Sequence, residues 1–392
     1  MQFPQRFSDL PEYAFPRLRA LLADLPAGGP EIAMTIGDPK HAFPAFVPEV
    51  IAAHAHEFGQ YPPNDGAPEL LAAIADWIKL RYGVVKNPLS EIITLNGTRE
   101  GLFNAAIALC PEEKNGKRAK ILIPNPFYQV YAVGAAAINA EPVFIPCPAA
   151  DGFLPNFSRL SAEVLDQTAI AFVCSPSNPQ GAVASREYWA DLLHLAEKHD
   201  FRIFADECYC EIYRNSPPPG ALEVAKEIGV DPERVVAFHS LSKRSNLAGL
   251  RSGFATSGPK AIAELKRLRA YSGAPLPLPL QRAATAVWRD ESHVVASRKL
   301  YQEKYRIADE IFKDVQGYMA PEAGFFLWLP VDDGEAATIK LWRETGVKVL
   351  PGAYLSREVD GVNPGQGYIR VAMVAPKQEV QRGLQAIRDC IY

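Results

Sequence analysis

From about residue 90 the chain alternates short apolar, β-branched runs with amphipathic stretches, the pattern of parallel strands joined by helical crossovers. The runs fall at Ile92–Leu95, 120–123, 142–146, 169–174, 201–205, 235–239 and 253–257. Helical patterns between them include 100–109 and 188–198, the second opened by Ser185 as an N-cap and ended by basic and histidine side chains that suit a helix C-terminus. Seven such runs predict an α/β fold, a doubly wound, mostly parallel seven-stranded sheet. Beyond about 280 the pattern changes to one long helical stretch over 281–315, short strands near 325–329 and Tyr368–Ala372, and a helical tail from Lys377. This predicts a smaller α+β domain. The expected division is a large domain over 48–290 and a small one made of 1–47 and 291–392, with Pro4, Pro11, Pro16, Pro26 and Pro30 limiting regular structure in the first part.

Composition narrows the function classes. With 392 residues, 48% hydrophobic and 22% charged, the chain can bury a large core. Its 41 Lys+Arg against 45 Asp+Glu leave −4, without the basic surplus of a nucleic-acid binder. The longest uncharged stretch, 121–140, is broken by Pro124 and Pro126 and carries Asn125 and Gln129, so it reads as strand, turn and helix, not as a membrane span. The start, Met1 to Arg6, lacks the charged and apolar regions of a secretory signal, and the expected location is cytoplasmic. Six scattered cysteines form no C-x-x-C pair, and neither His54/His56 nor His194/His199 has a glutamate at zincin spacing; no metal is expected.

In an open parallel sheet, ligands lie beyond the carboxyl ends of the strands, where helix N-termini can hold anions. The loops there carry Asn96-Gly97-Thr98-Arg99, Asn125-Pro126-Phe127-Tyr128, Ser177-Asn178-Pro179, Asp206-Glu207-Cys208-Tyr209 and Ser240-Leu241-Ser242-Lys243. Lys243, followed by Arg244 and Arg251, is a candidate amine of lowered pKa and raised nucleophilicity, from like charge and loss of water. Asp206 can cap a helix, hold a metal or pair with a cationic ring nitrogen, and Tyr209 and Asn178 can reach the same ligand. Gly97, Thr98, Ser240 and Arg251 offer amides, hydroxyls and a guanidinium to an anion. An amine, a carboxylate, hydrogen-bonding groups, a stacking aromatic in Tyr128 and a phosphate cradle are what pyridoxal phosphate requires.

These motifs, Asn178-Pro179-x-Gly181, Asp206-x-x-Tyr209, Ser240-x-Ser242-Lys243 and Arg251-x-Gly253, with Gly37, Tyr61 and Arg370 in order along the chain, resemble the class I/II aminotransferases of the fold-type I pyridoxal-phosphate family. The resemblance implies that Lys243 bonds the cofactor's aldehyde and then moves the substrate proton, and that Asp206 keeps the ring nitrogen protonated. It implies that Asn178 and Tyr209 bind the ring's phenolic oxygen, that Tyr128 stacks on the ring, and that Gly97, Thr98, Ser240 and Arg251 hold the phosphate, with Arg99 beside them. Tyr61 would reach the phosphate of a neighbouring subunit, implying a homodimer with shared sites, and Arg370 would fork the substrate α-carboxylate beside Gly37 and Asn178. Longer strings, Asn96 to Glu100, Asn125 to Tyr131 and His239 to Asn246, resemble the bacterial N-succinyldiaminopimelate aminotransferases of lysine and cell-wall precursor synthesis. For the extra carboxylates of such a substrate, Lys40, His41, Arg99 and Arg244 are the candidates.

Other classes fit less well. No G-x-x-x-x-G-K-[ST] precedes Asp206-Glu207, as a P-loop ATPase needs. Ser240-x-x-Lys243 matches S-x-x-K, but the Ser-Asp-Asn and Lys-Thr-Gly companions of an acyl-serine hydrolase are absent. The serious alternatives share the cofactor: another amino-acid aminotransferase, or a carbon–sulfur lyase.

Overall fold

The computed structural model describes residues 5–8, 10 and 12–392, so Pro4, Pro11 and most of the Met1 to Arg6 segment lie outside the described residues. All seven expected strands form one sheet, in the order Ile92–Leu95, Gly253–Thr256, Val235–Ser240, Arg202–Asp206, Thr168–Cys174, Lys120–Asn125 and Glu141–Pro146. Six point the same way, and Gly253–Thr256 lies antiparallel between Val235–Ser240 and Ile92–Leu95. The reversal follows from the connection over 241–252, which holds only two short helical turns and no crossover helix.

Register then decides which groups meet. Leu95, Gly253 and Ser240 are neighbours across three strands, so the loop that begins at Asn96 lies beside both ends of the 241–252 connection, Leu241 and Arg251. Asp206 lies between Cys174 and Phe238. The sheet is covered by helices that include Thr98–Leu109 and Arg186–His199; the latter starts as expected, with Ser185 Oγ accepting from the Tyr188 amide at 3.1 Å.

The pattern over 281–315 is not one helix but two, Leu278–Arg289 and Ser292–Phe312. Apolar periodicity continues through the break, but the Asp290 carboxylate accepts from the Ser292 and His293 amides and starts a new helix. The early prolines also restrict less than expected. Ala14–Leu22 is helical with Pro16 in its first turn, where an amide has no intrahelical partner to lose.

A second, three-stranded sheet pairs Phe326–Pro330, Tyr368–Ala372 and Leu350–Pro351 and carries Arg370. Its apolar cluster joins Phe325, Ile369 and Val371 to Tyr301, Tyr305 and Phe312 of Ser292–Phe312 and to Leu384 of Lys377–Ile391. A strap over residues 35–42 leaves this sheet and crosses to the large one: the Ala372 amide donates to Met34 O at 2.8 Å, and Asn246 Nδ2 donates to Ala42 O at 3.1 Å. Among the described residues no helix is long and apolar enough to cross a membrane.

Candidate active site

The strand ends, the strap and the small sheet enclose an open cavity of about 420 Å³. Eleven of the thirteen residues expected at the site line it: Gly37, Thr98, Arg99, Tyr128, Asn178, Asp206, Tyr209, Ser240, Lys243, Arg251 and Arg370. Gly97 stands directly behind, and Tyr61 is fully exposed away from the cavity of its own chain.

Lys243 lies on the short helix Leu241–Arg244, which Ser240 caps by accepting from the Ser242 amide at 3.1 Å. Its ammonium donates to Gly37 O of the strap and sits 5.6 Å from the centre of the Phe325 ring. Burial is the main influence pulling Lys243 down to about 8, with Arg370 and Arg251 adding to it and Asp38 opposing. Arg244, expected to share in this, does not. It is buried on the other side, bonded to Glu291 and Val287 O with its guanidinium 4.8 Å from the centre of the Trp288 ring.

Asp206 is buried at the end of its strand, and burial raises its pKa. Tyr131 donates to Oδ2 at 2.8 Å and the Cys208 amide to Oδ1 at 3.4 Å. A carboxylate so placed gains most from a cationic partner. Tyr131 was not singled out as a site residue by the sequence, although Tyr128-x-x-Tyr131 places two tyrosines one turn apart at a helix start. Tyr131 stacks on Phe172 with centroids 4.3 Å apart and thereby fixes the Asp206 carboxylate.

The anion cradle is built from backbone shape. Gly97, at φ +85° and ψ 155°, starts the helix Thr98–Leu109, and a Cβ there would collide with the Arg251 guanidinium. Arg251, itself left-handed at φ +57°, is tied to Ala248 O at 2.9 Å and to Asn96 O at 3.1 Å. Thr98 Oγ1 also meets the Cys208 thiol at 3.1 Å.

On the facing wall Arg370 is 4% exposed and bonds Asn178 Oδ1 at 3.0 Å and Thr35 O at 2.8 Å, over the Phe326 ring at 4.2 Å. Among the described residues its Nε is buried without a partner, and burial lowers its pKa to about 10. A guanidinium kept from water without a carboxylate partner is a receptor for one. Tyr209 packs edge-on against Phe325 at 5.3 Å. At the exposed mouth Arg99 Nε donates to Tyr128 Oη at 2.6 Å.

The amine, the buried carboxylate and the glycine-lined cradle fit pyridoxal phosphate in kind and in order around one cavity. The family model for aminotransferase class I and II matches residues 30–387. This chain belongs to that family. It is therefore a pyridoxal-phosphate-dependent aminotransferase with the α/β fold of fold type I. An aminotransferase from Neisseria meningitidis superposes with a TM-score of 0.94 at 36% identity, covering 100% of both chains. The LL-diaminopimelate aminotransferase of Dehalococcoides mccartyi is 31% identical, covering 99% of each chain. A protein described as a probable N-succinyldiaminopimelate aminotransferase from Thermus thermophilus has a TM-score of 0.83 at 27% identity, over 96% of this chain and 98% of its own.

Proposed function

We propose that this aminotransferase moves an amino group between glutamate and N-succinyl-2-amino-6-oxopimelate. Bound pyridoxal phosphate supplies the electron sink for the carbanion left when a substrate Cα loses its proton. In this reading the Lys243 amine holds the cofactor between turnovers and carries the proton of the shift, and its lowered pKa keeps a useful fraction neutral near pH 8. The Asp206 carboxylate, held by Tyr131, would pair with the ring nitrogen and keep it protonated, and Asn178 and Tyr209 would bind the ring's phenolic oxygen. Tyr128 would stack on the ring, and Gly97, Thr98, Ser240 and Arg251 would hold the phosphate. Arg370 grips the substrate α-carboxylate with Gly37 behind it, which fixes the Cα–H bond relative to the ring. The fully exposed Tyr61 belongs to a homodimer interface, reaching the neighbouring subunit's phosphate, and the protein is expected to sediment as a dimer.

One observation carries the choice of a long substrate with a distal carboxylate. Of the four cations considered for that carboxylate, Arg99 alone lines the cavity, at its exposed mouth. Lys40 pairs with Asp38 at 3.1 Å, His41 is bonded to Lys304, and Arg244 is buried elsewhere. The relatives named LL-diaminopimelate aminotransferases, 31% identical along nearly the whole chain, favour a second reading in which the substrate is not succinylated.

A spectroscopic half-reaction panel distinguishes these, using glutamate, aspartate, alanine, cystathionine, LL-diaminopimelate and its N-succinyl form. Fastest conversion by glutamate and the succinylated compound supports the first reading; conversion by free LL-diaminopimelate instead supports the second. Pyruvate and ammonia from cystathionine would make it a lyase. Arg99→Met is expected to raise KM for the long substrate about tenfold, as for one lost charge-assisted hydrogen bond, with the glutamate half-reaction unchanged. Equal effects on both would remove Arg99 from this role.

A further inference from the structure

Lys304 is 1% exposed in the middle of Ser292–Phe312, and among the described residues no carboxylate pairs with it. Its Nζ contacts His41 Nε2 at 2.8 Å and donates to Met373 O at 2.9 Å, and it lies 4.8 Å from the centre of the Tyr301 ring. A buried lysine without a counter-ion is costly, so its two oriented contacts call for a reason. They join the two segments that form the far wall of the cleft. His41 ends the strap whose Gly37 carbonyl receives the Lys243 ammonium and whose Thr35 carbonyl receives Arg370. Met373 directly follows the strand that carries Arg370.

The apolar contacts follow the same line. The His41 ring lies on Tyr301 with centroids 4.7 Å apart, Tyr301 stacks on Phe325 at 5.7 Å, and Phe325 lies under the Lys243 ammonium. Gly37 presses on Phe325 and on its neighbour Phe326, since a Cβ there would come within 2.6 Å of Phe326 and 3.0 Å of Phe325. Burial and the facing Lys304 hold His41 down to about 4, so its imidazole is neutral and Nε2 can accept. Lys304, lowered to about 7 by burial, donates in either charge state.

We propose that Lys304, acting through His41, is a positioning residue that latches the strap across the cleft and so holds Gly37 and Arg370 in place for the amino-acid substrate. The latch touches neither cofactor nor substrate. It serves the reaction common to the family and is independent of which distal group the substrate carries.

The test uses the whole chain loaded with pyridoxal phosphate and three variants: Lys304→Met, which keeps the stem; His41→Phe, which keeps the ring but not the acceptor; and His41→Gln, which restores an acceptor. Lys40 is exposed in the strap, so trypsin can report release by cutting after it, provided the strap leaves the wall. Lys304→Met and His41→Phe are expected to be cut there about tenfold faster than wild type, with cleavage elsewhere unchanged, and KM for glutamate should rise about tenfold with kcat within about threefold. His41→Gln should match wild type in both. The proposal is overturned if Lys304→Met and His41→Phe are cut at the wild-type rate, or if His41→Gln is as impaired as His41→Phe. His41→Phe leaves the Lys304–Met373 contact intact, so it decides the question by itself should Lys304→Met not fold.

Discussion

On the sheet side of the cleft, Asp206 and Ser240 end strands paired on both sides, and Gly97 and Thr98 follow a strand paired at its last residue with Gly253. On the opposite side, Arg370 is delivered by a sheet of three short strands, and Gly37 by a strap that its neighbours hold through isolated hydrogen bonds from Lys243, Arg370, Asn246 and Lys304. The first wall is therefore rigid by register, and a substitution there removes chemistry while leaving geometry. The second is rigid only while each contact lasts, so a substitution there changes binding. Enzymes that must admit and enclose a small substrate need a wall of the second kind.

The sharpest break in this comparison is expected at Lys243. Lys243→Ala should take up pyridoxal phosphate, because the cradle and Asp206 remain, yet turnover with glutamate should fall by roughly 10³–10⁴-fold for want of the proton carrier. Cofactor uptake is read by absorbance and turnover by the release of α-ketoglutarate. Undiminished turnover would refute the role. On the other wall, Arg370→Met should raise KM for glutamate about 10²-fold, the cost of losing a buried charged fork, with a smaller fall in kcat and unchanged affinity for the cofactor. A cofactor affinity that fell with KM would mean the two walls are not separable.

The difference between the walls also explains what could be read from the chain. Strand runs such as Thr168–Cys174 are buried at every position, and each ends in a loop of polar residues, so the sheet wall and its groups were legible from pattern alone. Arg370 was reached only through resemblance, since by itself it is one arginine in a short strand. The Lys304–His41 contact joins residues 263 apart on elements whose packing no periodicity encodes. Arg244 was misplaced for a related reason: a helical turn sends adjacent side chains in different directions, and Lys243 took the cavity while Arg244 took the core. Tyr131 was hidden because an aromatic at a helix start is usually just core, and only its 2.8 Å bond to Asp206 gives it a role.

The smallest effect is expected where the sheet wall depends on backbone shape. At φ +85° and ψ 155° Gly97 occupies a region almost closed to other residues, so Gly97→Ala should cost about 1–3 kcal/mol by strain alone. The new Cβ also meets the Arg251 guanidinium, the flexible end of a long side chain, which can move aside at the expense of its bonds to Asn96 O and Ala248 O. The fold should therefore survive with a slightly lower Tm, while the dissociation constant for pyridoxal phosphate rises about tenfold and KM for glutamate on the loaded enzyme stays the same. Because the loss acts through Arg251, adding Arg251→Ala to Gly97→Ala should weaken the cofactor less than the two single changes together. Strict additivity would separate Gly97 from Arg251, and the cradle would then have to be held by the Thr98 helix terminus and Ser240 without the guanidinium.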